Sequence, residues 1–242
     1  MKRILPFLCI PLLAVFLGGC GVIDYFFLPP PEDTAQELFE AGQEAMKDKN
    51  YDNAVEYFTN LKDRYPFSPY TPQAELALGD AHYLNEDFEE AADAYLEFEA
   101  LHPRHEQMPY VLYMMGKSYY KQFKSIDMPQ AYVGQAIESF VRLTQSYPGS
   151  QYEEEAQQLI VECRRYMAEH EVFVADFYWR TEHYGAAWER YHYVIDNFQD
   201  LPDVVAYASK RADLAWVRHR AEASEEERER IQGSWKDWFD WL

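Results

Sequence analysis

The stretch "RYPFSPYTPQAEL", Arg64 to Leu76, is written again in outline as "SYPGSQYEEEAQQL", Ser146 to Leu159. In both, Tyr-Pro leads through a serine two residues on to a second tyrosine, and then to a run rich in Ala, Glu, Leu and Gln. Proline cannot continue a helix and turns the residue before it away from helical geometry, so Tyr65-Pro66 and Tyr147-Pro148 each end one. Beyond Tyr70, Ala74, Ala77, Leu78 and Ala81 fall at i, i+3, i+4 and i+7, the apolar face of a new helix. The same joint between helices thus occurs twice, 82 residues apart. A chain that repeats its joints is built of repeating units.

Gly42, Gly79 and Gly116 set the frame of those units. Ala41, Leu78 and Met115 precede them, and Ala45, His82 and Tyr119 follow three residues later. Ala54 and Ala91 come twelve residues after the first two glycines, Phe58 and Tyr95 four further on, and Pro66 and Pro103 eight beyond those. The third copy, Ala136, Phe140 and Pro148, keeps the internal spacing but falls eight residues late, which predicts an insertion in Gln122 to Gly134 around "SIDMPQ". Small residues where helices cross and a proline where the second must stop resemble the tetratricopeptide repeat, a helix-turn-helix of about 34 residues. The aromatic at Phe58, Tyr95 and Phe140 is expected to fill the hollow between neighbouring repeats. Ala175, Tyr178, Ala187 and Tyr191 give a weaker fourth copy, with Gln199 in the proline's place and a first helix free to start at Tyr152.

A fifth pair is expected from Asp203 to Ala221 and Glu225 to Trp241, with Ser224 capping the second helix in "SEEERERIQ". The predicted fold is all-α, a tetratricopeptide-repeat superhelix of about five helix-turn-helix units. Its divisions are 34–67, 72–105, 109–149 with the insertion, 152–200, and 203–242 as a fifth repeat or cap. Trp235, Trp238, Phe239 and Trp241 form a stripe at helical spacing, which would pack on the last repeat or dock a partner or membrane.

Residues 1–19 read differently. Lys2 and Arg3 precede an apolar run, Ile4 to Phe16, too short to span a bilayer comfortably, which marks a cleaved signal peptide. Its end, Leu17-Gly18-Gly19-Cys20, resembles the bacterial lipobox, which implies that Cys20 is lipidated and becomes the first mature residue. Several acyl chains anchor a protein to a membrane without spanning it. Gly21 after the cysteine, where an Asp would retain the protein at the inner membrane, implies outer-membrane delivery facing the periplasm. Residues 20–33, with "PPP" at Pro29 to Pro31, form an extended tether whose Tyr25, Phe26 and Phe27 touch either lipid or the domain. Cys9 leaves with the signal and Cys20 is acylated, so Cys163 has no intrachain disulfide partner.

Composition narrows the function. A formal charge of −20 argues against nucleic acid, whose phosphates need a Lys/Arg surface. The seven histidines include His102-x-x-His105 across Pro103 but no His-Glu-x-x-His, so no metal or other cofactor is expected. There is no Gly-rich phosphate loop and no Gly-x-Ser-x-Gly, and Glu153-Glu154-Glu155 reads as a helix start favoured by the helix dipole. An enzyme is not expected.

The run from Arg64 to Lys117 is more specific than a repeat pattern. With the lipobox, Arg-Tyr-Pro-Phe-x-Pro-Tyr, Tyr110 to Met114, the late third repeat, Tyr147 to Tyr152 and Val174 to Tyr178 in the same order, it resembles the BamD family, lipoproteins of the outer-membrane β-barrel assembly machine. The resemblance covers about Thr34 to Phe198. It implies a non-enzymatic role. The last repeats would hold the periplasmic POTRA region of BamA, and the first would engage the C-terminal strand of unfolded outer-membrane proteins. Substrate candidates are Tyr65, Phe67, Tyr70, His82 and Tyr83, with the alternative that Tyr65 and Tyr70 only staple their turn. Candidates for BamA contact are Asp176, Tyr178, Arg190 and Tyr191. The rival reading is a periplasmic tetratricopeptide lipoprotein coordinating cell-wall synthesis or division.

Overall fold

Thr34 opens the helical part of the chain. Its hydroxyl oxygen accepts from the Glu37 amide at 3.2 Å while the Glu37 carboxylate accepts from the Thr34 amide at 2.7 Å, a closed capping box. The computed structural model describes residues 33–239, so the signal peptide, Cys20 and nearly all of the tether lie outside the described residues. The described residues are helical, in consecutive pairs. They are α1 (Ala35–Lys47) with α2 (Tyr51–Arg64), α3 (Thr71–Leu84) with α4 (Phe88–Leu101), α5 (Met108–Lys121) with α6 (Ala131–Ser146), α7 (Glu153–Arg180) with α8 (Tyr184–Asn197), and finally α9 (Pro202–Phe239). Each helix packs on its neighbours along the chain, the arrangement of a tetratricopeptide-repeat solenoid. Among the described residues no helix is long and apolar enough to cross a membrane.

Two recurring turns set the pairs. Within three of them, Lys49, Glu86 and Glu182 take positive φ of 58°, 66° and 64°. The next amide in each bonds back five residues, Asn50 to Ala45, Asp87 to His82 and His183 to Tyr178, each at 2.9 Å. This closes the Schellman cap that the orphan carbonyls of a helix end require. The third pair replaces that turn with residues 122–130. There the Gln122 side-chain Nε2 donates to the carbonyls of Phe88 and Ser118, and the Gln130 Nε2 to those of Ser125 and Met128.

The joint between pairs is the Tyr-Pro motif. The Ser68 amide donates to Tyr65 O and the Thr71 amide to Ser68 O; Ser150 to Tyr147 and Glu153 to Ser150 repeat this. Each serine hydroxyl accepts the amide two residues on, from Tyr70 and Tyr152, both at 3.3 Å. His102-Pro103 makes a third copy, with His105 donating to His102 O, Met108 to His105 O, and His105 Nδ1 accepting the Gln107 amide. The two histidines are joint residues; His102 Nε2 also meets the Glu75 carboxylate at 2.5 Å.

The repeat glycines mark where rings need space. Phe58, Tyr95 and Phe140 are fully buried, and each lies against the glycine of its own pair's first helix. A Cβ on Gly79 would stand 2.7 Å from Tyr95 and one on Gly116 2.5 Å from Phe140. The rings therefore close the crossing inside a repeat, where only an absent side chain lets the two helices approach around a ring, and each shares its buried cluster with residues of the next pair.

The last unit departs from expectation. No break falls between Ala221 and Glu225, where the pair was expected to divide: α9 is one helix of 38 residues, about 57 Å long. Ala221-Glu222-Ala223-Ser224 holds no Gly or Pro, and the Ser224 hydroxyl, rather than capping, donates back to Ala221 O at 2.7 Å. Among its described side chains, the buried ones, Val204, Ala208, Ala212 and Ala215, lie against α7 and α8. The side chains of Trp235, Trp238 and Phe239, and all of Trp241, lie outside the described residues.

Cys163 is fully buried on α7, and burial pushes its thiol up to about 12. A thiolate-seeking reagent should leave it untouched in the native protein and label it on unfolding in urea. Rapid native labelling would show that α7 opens locally.

Candidate functional site

The five residues expected to meet substrate fall into two groups at opposite ends of α3. Tyr65, Phe67 and Tyr70 belong to the first joint, whereas His82 and Tyr83 lie one helix length away, about 18 Å. Tyr65 ties the chain's entry to the joint. Its hydroxyl donates to Asp33 O at 2.7 Å, and its carbonyl accepts from the Thr71 hydroxyl at 2.6 Å. The Tyr70 ring stands 5.4 Å from Phe39. Both tyrosines staple the turn, while Phe67 between them is 99 % exposed. His82 is half-buried with Nδ1 lacking a hydrogen bond, and burial holds its pKa below the ordinary value. Tyr83 packs edge-on to Phe88, with the Lys117 ammonium over its ring and closer still to Tyr113.

The residues proposed for BamA contact are placed less favourably. Tyr191 is fully buried, and its hydroxyl donates to the Asp176 carboxylate. Tyr207 donates to the same carboxylate at 3.0 Å, Arg211 Nε donates to the Tyr191 hydroxyl at 3.2 Å, and the guanidinium reaches Asp176 at 3.5 Å. Tyr191 and Asp176 thus hold α8 and α9 to α7; Tyr191 has no surface to offer, because the repeat pattern that made it conspicuous is a packing pattern. Tyr178 is half-buried beside Phe177 and His183. Arg190 is exposed, but its guanidinium already donates to Glu171 at 2.8 Å.

Two features escaped the sequence reading. Phe173 and Phe177, one turn apart on α7, are exposed. Their signal was the alanine stripe Ala168 and Ala175, which marks the buried face and leaves the large rings off it. Phe173 borders a cleft of about 430 Å³ with Val172, Asp176, Val204 and Tyr207.

The second feature is a groove along the first helices of the pairs. A cleft of about 820 Å³ is walled by the second Tyr-Pro joint, Tyr147 to Tyr152, and floored by Asp80 and Tyr110. A smaller one of about 280 Å³, lined by Phe39, Gln43 and Leu76, shares Asp80, Glu106 and Gln107 with it, so the two are continuous. Asp80 Oδ1 accepts both the Tyr95 hydroxyl at 2.7 Å and the Tyr110 hydroxyl at 2.6 Å. Burial nonetheless raises the Asp80 carboxyl above its ordinary value, and burial, then the Asp80 charge, pushes both phenols up. Among the described residues no cluster of His, Cys, Asp and Glu could hold a metal ion.

Residues 31–225 match the YfiO family model, described as outer membrane lipoprotein. The outer membrane protein assembly factor BamD of Vibrio cholerae is 32 % identical over 170 residues, covering 66 % of this chain and 70 % of that one. The BamD of Neisseria meningitidis serogroup B is 27 % identical over 211 residues, covering 83 % and 79 %, and that of Pasteurella multocida 27 % over 217 residues, covering 85 % and 80 %. A solved tetratricopeptide repeat protein from Parabacteroides merdae is 14 % identical with a TM-score of 0.41, covering 79 % of each chain. With a family match that runs through every helix pair and into the last helix, the chain belongs to the outer membrane lipoprotein family that contains the BamD assembly factors.

Proposed function

We propose that this protein is a non-enzymatic outer-membrane protein assembly factor, anchored through acylated Cys20 at the periplasmic face. In this reading it holds the POTRA region of BamA through its last helix pairs and receives the C-terminal segment of unfolded outer-membrane proteins on its first pairs. The observation that carries the reading is the family match over residues 31–225. The groove beside Asp80 supports it, being an open, partly aromatic channel that runs across three helix pairs. Phe67 supports it too, as a fully exposed ring in a joint whose other aromatics are engaged. On the last pairs, Phe173 and Phe177 replace Tyr191 as the aromatic contacts to test.

The test is native copurification from membranes in mild detergent, read by mass spectrometry, with a photo-cross-linking phenylalanine analogue at position 67. BamA should dominate the copurified proteins, and an unfolded outer-membrane protein should cross-link at 67. The double substitution Phe173→Ala with Phe177→Ala should reduce BamA recovery several-fold without lowering the melting temperature. Enrichment of cell-wall or division proteins in place of BamA would instead make the chain a scaffold for that machinery.

A further inference from the structure

The Asp80 cluster has a near copy in the same chain. Asp80 follows Gly79, and fifteen residues later Tyr95 donates to it; Asp176 follows Ala175, and fifteen residues later Tyr191 donates to it. Each carboxylate takes a second hydroxyl from the helix that follows its pair, Tyr110 on α5 or Tyr207 on α9. In the other two pairs the ring is Phe58 or Phe140, with no hydroxyl, and the carboxylate's place is taken by Gln43 or Lys117. The carboxylate therefore appears only where a phenol can donate to it.

The copies differ in charge. Four residues after Tyr207, Arg211 reaches back to Asp176 and Tyr191, whereas four residues after Tyr110 stands Met114, which brings no charge. Both hydroxyls at Asp80 go to Oδ1, and among the described residues no group donates to Oδ2. Asp80 lines both parts of the groove; the other charged residue common to them is Glu106, and among the described residues the only basic one lining either is His105, whose Nδ1 accepts the Gln107 amide. A partly buried carboxylate with no cation is unfavourable in the free protein. Its open side faces space for a ligand.

We infer that the groove at Asp80 binds the arginine side chain of an extended polypeptide segment, the guanidinium standing toward Asp80 and the two phenols as Arg211 stands toward Asp176. This deepens, and rests on, the reading that the first pairs hold such a segment. It assigns a residue class to one position of it. A guanidinium has the fork of donors that a carboxylate oxygen and phenol oxygens can share, and the acidic wall at Glu106 favours the same sign of charge.

The experiment uses the full chain in mild detergent and two dye-labelled ten-residue peptides ending in phenylalanine. They are identical except that one carries a single arginine and the other citrulline, its neutral isostere. Fluorescence anisotropy should show the arginine peptide binding about tenfold more tightly, the size of a charge-assisted hydrogen bond. Asp80→Asn should abolish that ratio and leave citrulline binding unchanged. It should also melt no lower than the wild type, since asparagine still accepts both hydroxyls and removes the uncompensated charge. Asp176→Asn should melt lower, because it strands Arg211, and should keep the ratio. A wild-type ratio near one, no binding of either peptide, or a ratio surviving Asp80→Asn would overturn the inference. Cross-linking at position 67 and BamA recovery would still judge the wider reading separately.

Discussion

Tyr191→Ala is expected to cost about 3–5 kcal/mol, the loss of a fully buried aromatic side chain. The ring sits among Ala168, Ala175, Ala187 and Val194, small partners that cannot extend to fill the space it leaves. Its hydroxyl also joins Asp176 to Arg211, so truncation weakens the contact between α7, α8 and α9 as well as the core. Tyr191→Phe, which removes the hydroxyl alone, should cost about 1–2 kcal/mol. In a solenoid the damage stays near its origin. Amide exchange should accelerate across 153–219 while 35–101 keeps its protection, and the fluorescence of Trp179, Trp188 and Trp216 should report the loss before global unfolding. If this variant fails to recover BamA, the cause is the unfolded last pair, which is why Phe173 and Phe177 are the sounder probes of docking.

Gly116→Ala should destabilise although alanine is the better helix former. The propensity gain is about 1 kcal/mol. Against it, the new methyl would lie 2.5 Å from Phe140 Cε1. Phe140 is fully buried with Tyr113 tilted against it, so the ring has nowhere to retreat. Overpacking of this kind costs about 1–3 kcal/mol, occasionally more, and at this separation the upper part of that range applies. The net expectation is a loss of about 1–2 kcal/mol. Gly134→Ala is the control, because a Cβ there meets nothing within 4 Å on a helix, and it should gain about 0.5–1 kcal/mol. Urea denaturation of both should give shifts of opposite sign. Equal signs would mean that the ring of Phe140 does not set the approach of α5 and α6.

The pairs were legible because their rules are local. Tyr-Pro-x-Ser-x-Tyr names the groups of its own joint, and Gly79 sixteen residues before Tyr95 states which ring needs the absent side chain. The late Phe140 likewise marks an extended turn, residues 122–130, in place of a Schellman cap. What the sequence concealed depends on faces. Tyr191 and Phe67 are both aromatics that stand out in the sequence, yet one is fully buried and the other is 99 % exposed, which the packing of the helices decides. Ser224 satisfies a capping rule at a point where nothing stops the helix, so its hydroxyl turns back to Ala221. The Asp80 groove joins residues from three pairs and has no contiguous signature, although the parallel Gly79-Asp80 and Ala175-Asp176 were there to compare.

The neighbour-to-neighbour packing of the helices also governs how the molecule is made. Nearly every stabilising contact closes over one helix and a short connector, so contact order is low and no distant segment must be awaited. A chain emerging amino terminus first can condense pair by pair, each new helix docking on a surface already formed. The exception is α7, which offers half its length to α6 and half to α8 and α9, and its later half stays uncovered until the end of the chain arrives. Vectorial folding should therefore pause there, with Ala168 and Ala175 left in water until α8 and α9 dock.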